Sequence, residues 1–422
     1  MEGVKRRVVV TGLGLITPLG TGMHKTWEGI CKGTSGIDWI SSFDSAEYPV
    51  QIAGEVKDFN PEDFIERKEI KKMDVFIQYA LGAGTMAVGH GGLKVSEDNA
   101  DRVGVIVGAG IGGINTMERY HSILLESGQR RISPFFIPML IANLAAGHIS
   151  MRFGARGPNS CVTTACAAGT HAIGDSFKII QRGDADAMIA GGSESAITPL
   201  TIAGFANMKA LSTRNEAPQR ASRPFDAERD GFVIAEGAGI VVLEELQSAL
   251  KRGASIYAEI VGYGLTADAY HMTAPDPEGR GVVNCMRMAL RDAGLGPEAV
   301  DYINAHGTST PFNDKHETAA IKQVFGAHAY KLAVSSTKSM TGHLLGAGGG
   351  VEAALCALAL AEGVIPPTTN YETPDPECDL DYVPNHARHV EFNTALSNSF
   401  GFGGTNACIV LKKYVAETLH AG

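Results

Sequence analysis

The sequence predicts an α/β fold in which strands and helices alternate from one end of the chain to the other. Short, β-branched apolar runs recur between longer patterns of helical period. Glycine is abundant (51 of 422 residues) and only 19% of residues are charged, a composition that suits close backbone packing and not disorder or a coiled coil. A 44% hydrophobic share over this length is enough for one large core or two medium ones.

The first strand is read at 7–14, "RVVVTGLG", because its apolar run is short and β-branched and flows into glycine-rich turns; a leader peptide would continue as an apolar helix. Further strands are expected at 102–110, 186–192, 238–246, 257–267, 301–307, 332–338 and 406–414, and helices at 78–90, 167–182, 280–293, 314–325 and 348–362. The stretch 365–388 is rich in proline and turn residues and reads as a long surface loop.

The chain also looks duplicated. "ACAAGTHAIGDSFKIIQRG" (165–183) and "HLLGAGGGVEAALCALALAEG" (343–363) share one plan: a reactive-type residue, small residues, a helix and a stopping glycine. "RVVVTGLGLIT" and "YAEIVGYGLTA" open the two halves with similar strand-to-glycine turns. The division predicted is 1–255, 256–412 and a tail at 413–422, with the central helices of the two halves packed together.

Several classes fall away. A net charge of −10 argues against a nucleic-acid binder. No run approaches eighteen uninterrupted apolar residues, so no membrane span is expected. Seven scattered cysteines without a CxxC pair suit reduced thiols in a reducing compartment, and a cytoplasmic setting is expected. "VIVGAGIGG" places Gly108, Gly110 and Gly113 in a G-x-G-x-x-G pattern after a strand, but no second strand ending in an acid follows, so the dinucleotide reading is rejected.

Cys166, in "TTACAAGTHA", stands among small residues at a predicted helix start, where unpaired N–H groups favour an anion and lower a thiol's pKa. Two histidines, His306 in "YINAHGTSTPFND" and His343 in "STKSMTGHLLGAGG", each follow a strand; the first precedes a Gly-Thr-Ser-Thr turn and the second a glycine-rich helix start. Lys338 lies five residues before His343. "GFGGTN" offers backbone N–H groups of the kind an oxyanion needs.

With those segments in hand, the chain closely resembles the elongating β-ketoacyl-acyl carrier protein synthases, the type II enzymes most. The motifs run in order from "VVVTGLGLITPLG" through "TACAAGTHAIG", "RPFDAERDGFVIAEGAG", "NAHGTSTPFNDKHE" and "STKSMTGHLLGAGGGVE" to "SNSFGFGGTN". Alanine stands in "CAAG" where related chains often have threonine or serine.

The resemblance implies a thiolase-like fold of five layers, α-β-α-β-α, from two similar halves, assembled as a homodimer and using no cofactor. It makes Cys166 the acyl-accepting nucleophile, and His306 and His343 hydrogen-bond donors to a malonyl thioester. Lys338 and Glu352 would support them, and Phe402 would act as a gate. Ile111 and Phe205 would line an acyl pocket, and Thr308 and Thr310 would face a pantetheine arm. Lys68, Lys71, Lys72, Arg130, Arg131 and Lys209 would dock an acidic acyl carrier protein. A structural monovalent cation near Asn304, Glu352 and Asn398 is a further implication. The rival readings are a ketosynthase of a polyketide or specialised lipid pathway, a non-catalytic chain-length partner, and a zinc site of Cys166, His306 and His343.

Overall fold

The computed structural model describes residues 5–416, so most of the expected 413–422 tail lies outside the described residues. Ten principal strands form one hydrogen-bonded path. They are β1 (Val8–Thr17), β2 (Val103–Gly108), β3 (Asn159–Val162), β4 (Ala187–Glu194), β5 (Gly237–Glu245), β6 (Ala258–Ala267), β7 (Tyr302–Asn304), β8 (Ala333–Ser335), β9 (Thr394–Gly401) and β10 (Thr405–Lys412). Their order is β8-β7-β9-β10-β6-β1-β5-β4-β2-β3.

The path reads the same outward from its middle. From β1, the successive pairings through β5, β4, β2 and β3 are antiparallel, antiparallel, parallel and parallel. From β6, the pairings through β10, β9, β7 and β8 follow that sequence again. The two five-stranded sheets meet through three antiparallel pairs, Val8↔Ile260, Val9↔Glu259 and Val10↔Ala258.

Helices complete five layers. α1 (Val75–Gly91) and α2 (Leu144–Phe153) cover the outer face of the first sheet, while α4 (Arg280–Ala293) and α5 (Pro311–Phe325) cover that of the second. Between the sheets lie α3 (Ala168–Arg182) and α6 (Gly348–Glu362), in the largest apolar cluster. Every residue of α6 from Gly348 to Leu360 is buried, as expected of a helix apolar all round and enclosed by protein. The stretch Leu345–Glu362 is long and apolar enough to cross a membrane, yet 89% of it is buried in this core.

Glycine sets the distance between the central helices. A Cβ on Gly169 would lie 2.7 Å from the amide nitrogen of Gly350 and 2.9 Å from the carbonyl oxygen of Gly346, so the two helix starts touch backbone to backbone. This contact brings the turns preceding the two helices together, and both carry site residues.

All the expected strands and helices form. The two shortest strands, β7 and β8, end early because the chain leaves the sheet, and His306 and Lys338 stand just past those ends. Two readings need correction. The "GFGGTN" segment ahead of the expected strand at 406–414 is not a free-standing turn but the tip of a hairpin, β9 and β10, joined at 402–404. β9 was hidden because Ser397, Asn398 and Ser399, buried here, read as polar turn residues. Nor is 365–388 simply a surface loop: Thr368, Cys378, Tyr382 and Val383 are buried, and Tyr382 stacks on Phe225 with ring centroids 4.0 Å apart. Proline stops regular structure but does not prevent burial.

Replacing Gly169 by alanine should cost about 1–3 kcal/mol through overpacking at the helix contact, read as a lowered denaturation midpoint in urea.

Candidate active site

The duplicated plan shows most closely at the starts of the central helices. Single 3₁₀ turns, Ala165–Ala167 and Leu345–Ala347, lead into α3 and α6. Ala165 and Leu345 both adopt φ of 49°, a left-handed conformation that costs a non-glycine residue about 1–3 kcal/mol. The first turn carries Cys166; the second follows His343. Two strained elbows thus point their neighbouring side chains into one space.

That space is a cavity of about 790 Å³, whose lining includes Cys166, His306, His343 and Phe402. Ile111, Phe205, Thr308 and Thr310 line it as well, and the exposed Lys209 reaches it. Lys338 and Glu352 do not face the cavity. They are 2% and 3% exposed and form an ion pair behind the histidines.

The imidazoles of His306 and His343 meet edge to face, with centroids 5.4 Å apart and planes at 85°. Both Nδ1 atoms are buried without a partner, so Nε2 is the ring nitrogen that opens on the cavity. Burial, then the positive charge of Lys338, holds both rings well below the usual histidine range; for His306 the second ring adds to this. Both are therefore neutral near pH 7, and each has one N–H to donate. His343 is fixed by its main chain, donating to Val233 O at 2.7 Å and accepting from Ala235 N–H at 2.9 Å.

Cys166 is half-buried. Burial pushes its thiol up to about 12; Lys338 opposes this, Glu194 adds to it, and the backbone N–H groups of Phe402 and Cys166, both aimed at the sulfur, oppose it. The helix start does favour the anion, but desolvation outweighs it, so the shift runs upward, opposite to the lowering expected from the sequence.

The basic residues occupy two touching segments and the cavity rim. Lys68, Lys71, Arg130, Arg131 and Lys209 are exposed. Lys72 pairs with Glu69 at 2.7 Å and lies over the Phe135 ring, which joins the 67–72 segment to 129–135. Lys68 pairs with Glu66 at 2.8 Å.

Asn304 Oδ1, Asn398 Oδ1, Glu352 Oε2 and Ser397 Oγ are each buried without a hydrogen-bond partner. Hard, unsatisfied oxygen donors of this kind fit a monovalent cation. Among the described residues, no three His, Cys, Asp or Glu side chains are grouped to hold a metal, so Cys166, His306 and His343 do not form a zinc site.

Comparisons with known proteins agree with this architecture. Family models described as the β-ketoacyl synthase N-terminal and C-terminal domains match residues 5–249 and 257–372. The chain belongs to the β-ketoacyl synthase family. A 3-oxoacyl-[acyl-carrier-protein] synthase 2 of Synechocystis is 57% identical over 97% of this chain and 99% of that protein. Among solved structures, the ishigamide ketosynthase/chain length factor superposes with a TM-score of 0.91 at 38% identity, covering 98% of this chain and 100% of that one. A type II polyketide ketosynthase bound to its acyl-carrier protein gives 0.89 at 37% identity, covering 97% and 100%.

Two further features, not singled out in the sequence, shape the site. Glu317, buried on α5, accepts from the main-chain N–H groups of His306 and Gly307 at 2.8 Å each and from Asn398 Nδ2 at 3.1 Å. Burial raises its carboxyl to about 7 against those three bonds. The signal was available: Asp314, Glu317 and Thr318 share one face of a predicted helix, and a polar face turned inward needs a partner. A second omission is the 268–272 loop. Asp268 N–H donates to Gly404 O at 2.9 Å, Gly403 N–H to Met272 O at 2.8 Å, and Asn406 Nδ2 to Asp268 Oδ1 at 2.7 Å, so the turn bearing Phe402 is latched to it.

Glu317→Ala removes the clamp on the His306 turn. It should lower malonyl decarboxylation by about 100-fold, while single-turnover acylation of Cys166 changes much less; carbon dioxide release and mass spectrometry read the two.

Proposed function

We propose that the protein is a 3-oxoacyl-[acyl-carrier-protein] synthase of type II, extending an acyl chain by two carbons through decarboxylative Claisen condensation. The observation that carries this is one cavity holding Cys166, two backbone N–H groups aimed at its sulfur, and two neutral imidazoles with open Nε2 atoms.

In the first half-reaction the Cys166 sulfur attacks an acyl thioester, and its proton leaves with the departing carrier thiol. The Cys166 and Phe402 N–H groups stabilise the tetrahedral oxyanion. In the second, malonyl thioester binds with its carbonyl oxygen toward His306 and His343. Loss of carbon dioxide leaves an enolate, and the two N–H donors offset its charge. Neutral donors suit this task, because the electron pair for the new carbon–carbon bond comes from the breaking carbon–carboxylate bond and no base is required. The enolate attacks the acyl-Cys166 thioester, and the Cys166 thiolate that is expelled takes up a proton.

The remaining roles follow from position. Lys338 keeps the imidazoles neutral, with Glu352 as its counter-ion; Thr308 and Thr310 meet the pantetheine arm; Ile111 and Phe205 wall the acyl chain; and Phe402 gates the passage. Residues 1–255 supply the nucleophile and 256–412 the donors. Asn304, Asn398 and Glu352 would hold a monovalent cation whose charge steadies that buried polar group.

The partner is an acidic acyl carrier protein bearing acyl and malonyl thioesters, met by Lys68, Lys71, Lys72, Arg130, Arg131 and Lys209. The setting is cytoplasmic. We assign a homodimer, since β3 has an open edge with Asn159 and Ser160 exposed, and Met151 on the adjoining helix is 66% exposed. Identity of 57% to a type 2 synthase, against 38% to the ishigamide ketosynthase/chain length factor and 37% to a type II polyketide ketosynthase, favours fatty acid elongation over the specialised pathway.

Incubation with acyl carriers of graded length and malonyl carrier should give products two carbons longer, with the acyl group on Cys166 by mass spectrometry. Cys166→Ala should abolish condensation yet retain malonyl decarboxylation. Label on another residue would overturn the reading. Charge reversal at Lys68 and Arg130 should raise KM for carrier-bound substrate about tenfold, less so at high salt, with kcat nearly unchanged.

A further inference from the structure

The G-x-G-x-x-G segment, which lacks the second strand and acid of a dinucleotide site, has converging amides, and they meet a carboxylate supplied by the protein. Glu194, the last residue of β4, is fully buried. Its carboxylate accepts from the N–H groups of Gly110 at 2.6 Å, Ile111 at 3.1 Å and Gly112 at 3.0 Å. From the other half of the chain it accepts the N–H of Gly346 at 3.1 Å. No lysine, arginine or histidine pairs with it among the described residues. A buried charge without a cation is costly to keep, and here backbone donors alone satisfy it.

The glycines on either side allow this close approach. A Cβ at Gly110 would stand 2.7 Å from Glu194 Oε2, and one at Gly346 would stand 2.2 Å from the amide nitrogen of Gly110 and 2.8 Å from the same carboxylate oxygen. The residues beside those glycines, Ile111 and Leu345, both line the cavity, together with Cys166. One carboxylate thus ties together two apolar wall residues that come from opposite halves of the chain.

We propose that Glu194 is a positioning residue for acyl-chain selection, an internal anion that clamps the 110–112 backbone to Gly346 and so fixes the walls formed by Ile111 and Leu345. The proposal rests on the condensing function given above. With the clamp intact the walls stand close and limit the length of chain accepted beside Cys166. With it loosened they part and favour longer chains.

The test uses the full-length protein and its Glu194→Gln, Glu194→Asp and Ile111→Ala variants. kcat/KM for acylation of Cys166 is measured with carrier-bound acyl groups of graded length. Glutamine offers one oxygen and one NH₂ to four donors, so Glu194→Gln should move the long-to-short ratio about tenfold toward long chains, the scale of a small change in an apolar pocket. Ile111→Ala should move it the same way, and Glu194→Gln in that background should add little. A second reading separates positioning from mere folding. Lys338 favours ionisation of the Cys166 thiol and Glu194 opposes it. Glu194→Gln should therefore speed alkylation of Cys166 by iodoacetamide at pH 8, and Glu194→Asp should not.

Glu194→Asp keeps the charge but draws it back by one methylene, so it carries the test if the glutamine variant does not fold, with a smaller shift of the ratio in the same direction. Folded variants with the wild-type ratio overturn the proposal, as does failure of both to fold, which would make Glu194 a folding residue only. Wild-type protein that takes no acyl group on Cys166 overturns the condensing function itself.

Discussion

The site depends on one contact, the backbone-to-backbone approach of α3 and α6 at Gly169, Gly346 and Gly350. Cys166 and His343 lie 177 residues apart in sequence, and no local interaction could gather them. Two helices with side chains at their starts would stand several ångströms further apart, and the two elbows would open into separate spaces. Small residues at the helix starts are therefore not idle. They cost helical propensity at a helix terminus and gain the proximity on which the chemistry rests.

That proximity creates an electrostatic problem, which burial resolves in a particular way. Three titratable groups in one cavity would ordinarily be chosen for their charge. Here desolvation, together with Lys338, disfavours charge on both imidazoles, and desolvation raises the thiol's hold on its proton. What remains is a set of dipoles already oriented: two imidazole N–H groups and two peptide N–H groups. Oriented dipoles in a dry site need little reorganisation when an oxyanion forms, whereas fixed charges would bind the resting substrate as well as its transition state.

The strands and helices were legible because their signals are local: β-branched runs, helical period, and stopping glycines at 183 and 363. The duplication was visible in two pairs of segments, and the mirrored strand order now gives it a physical form. Cys166, His306 and His343 stood out by setting, since each follows a strand and precedes small residues. Other features could not be read that way. β9 is a polar strand made acceptable by partners from distant segments, and Glu317 and Glu194 act on main-chain N–H groups that no side-chain motif records. The direction of the thiol's shift is not legible in the sequence, because a helix dipole can be read from local order, while desolvation depends on everything that folds around it.

The central claim, two neutral imidazoles facing a cysteine, is tested most directly by NMR titration of protein labelled with ¹³C at the histidine Cε1, with His306→Gln and His343→Gln variants to assign the signals. Both resonances should stay at their neutral positions between about pH 8 and pH 5.5. A midpoint near the ordinary histidine value of about 6.5 for either ring would contradict the account.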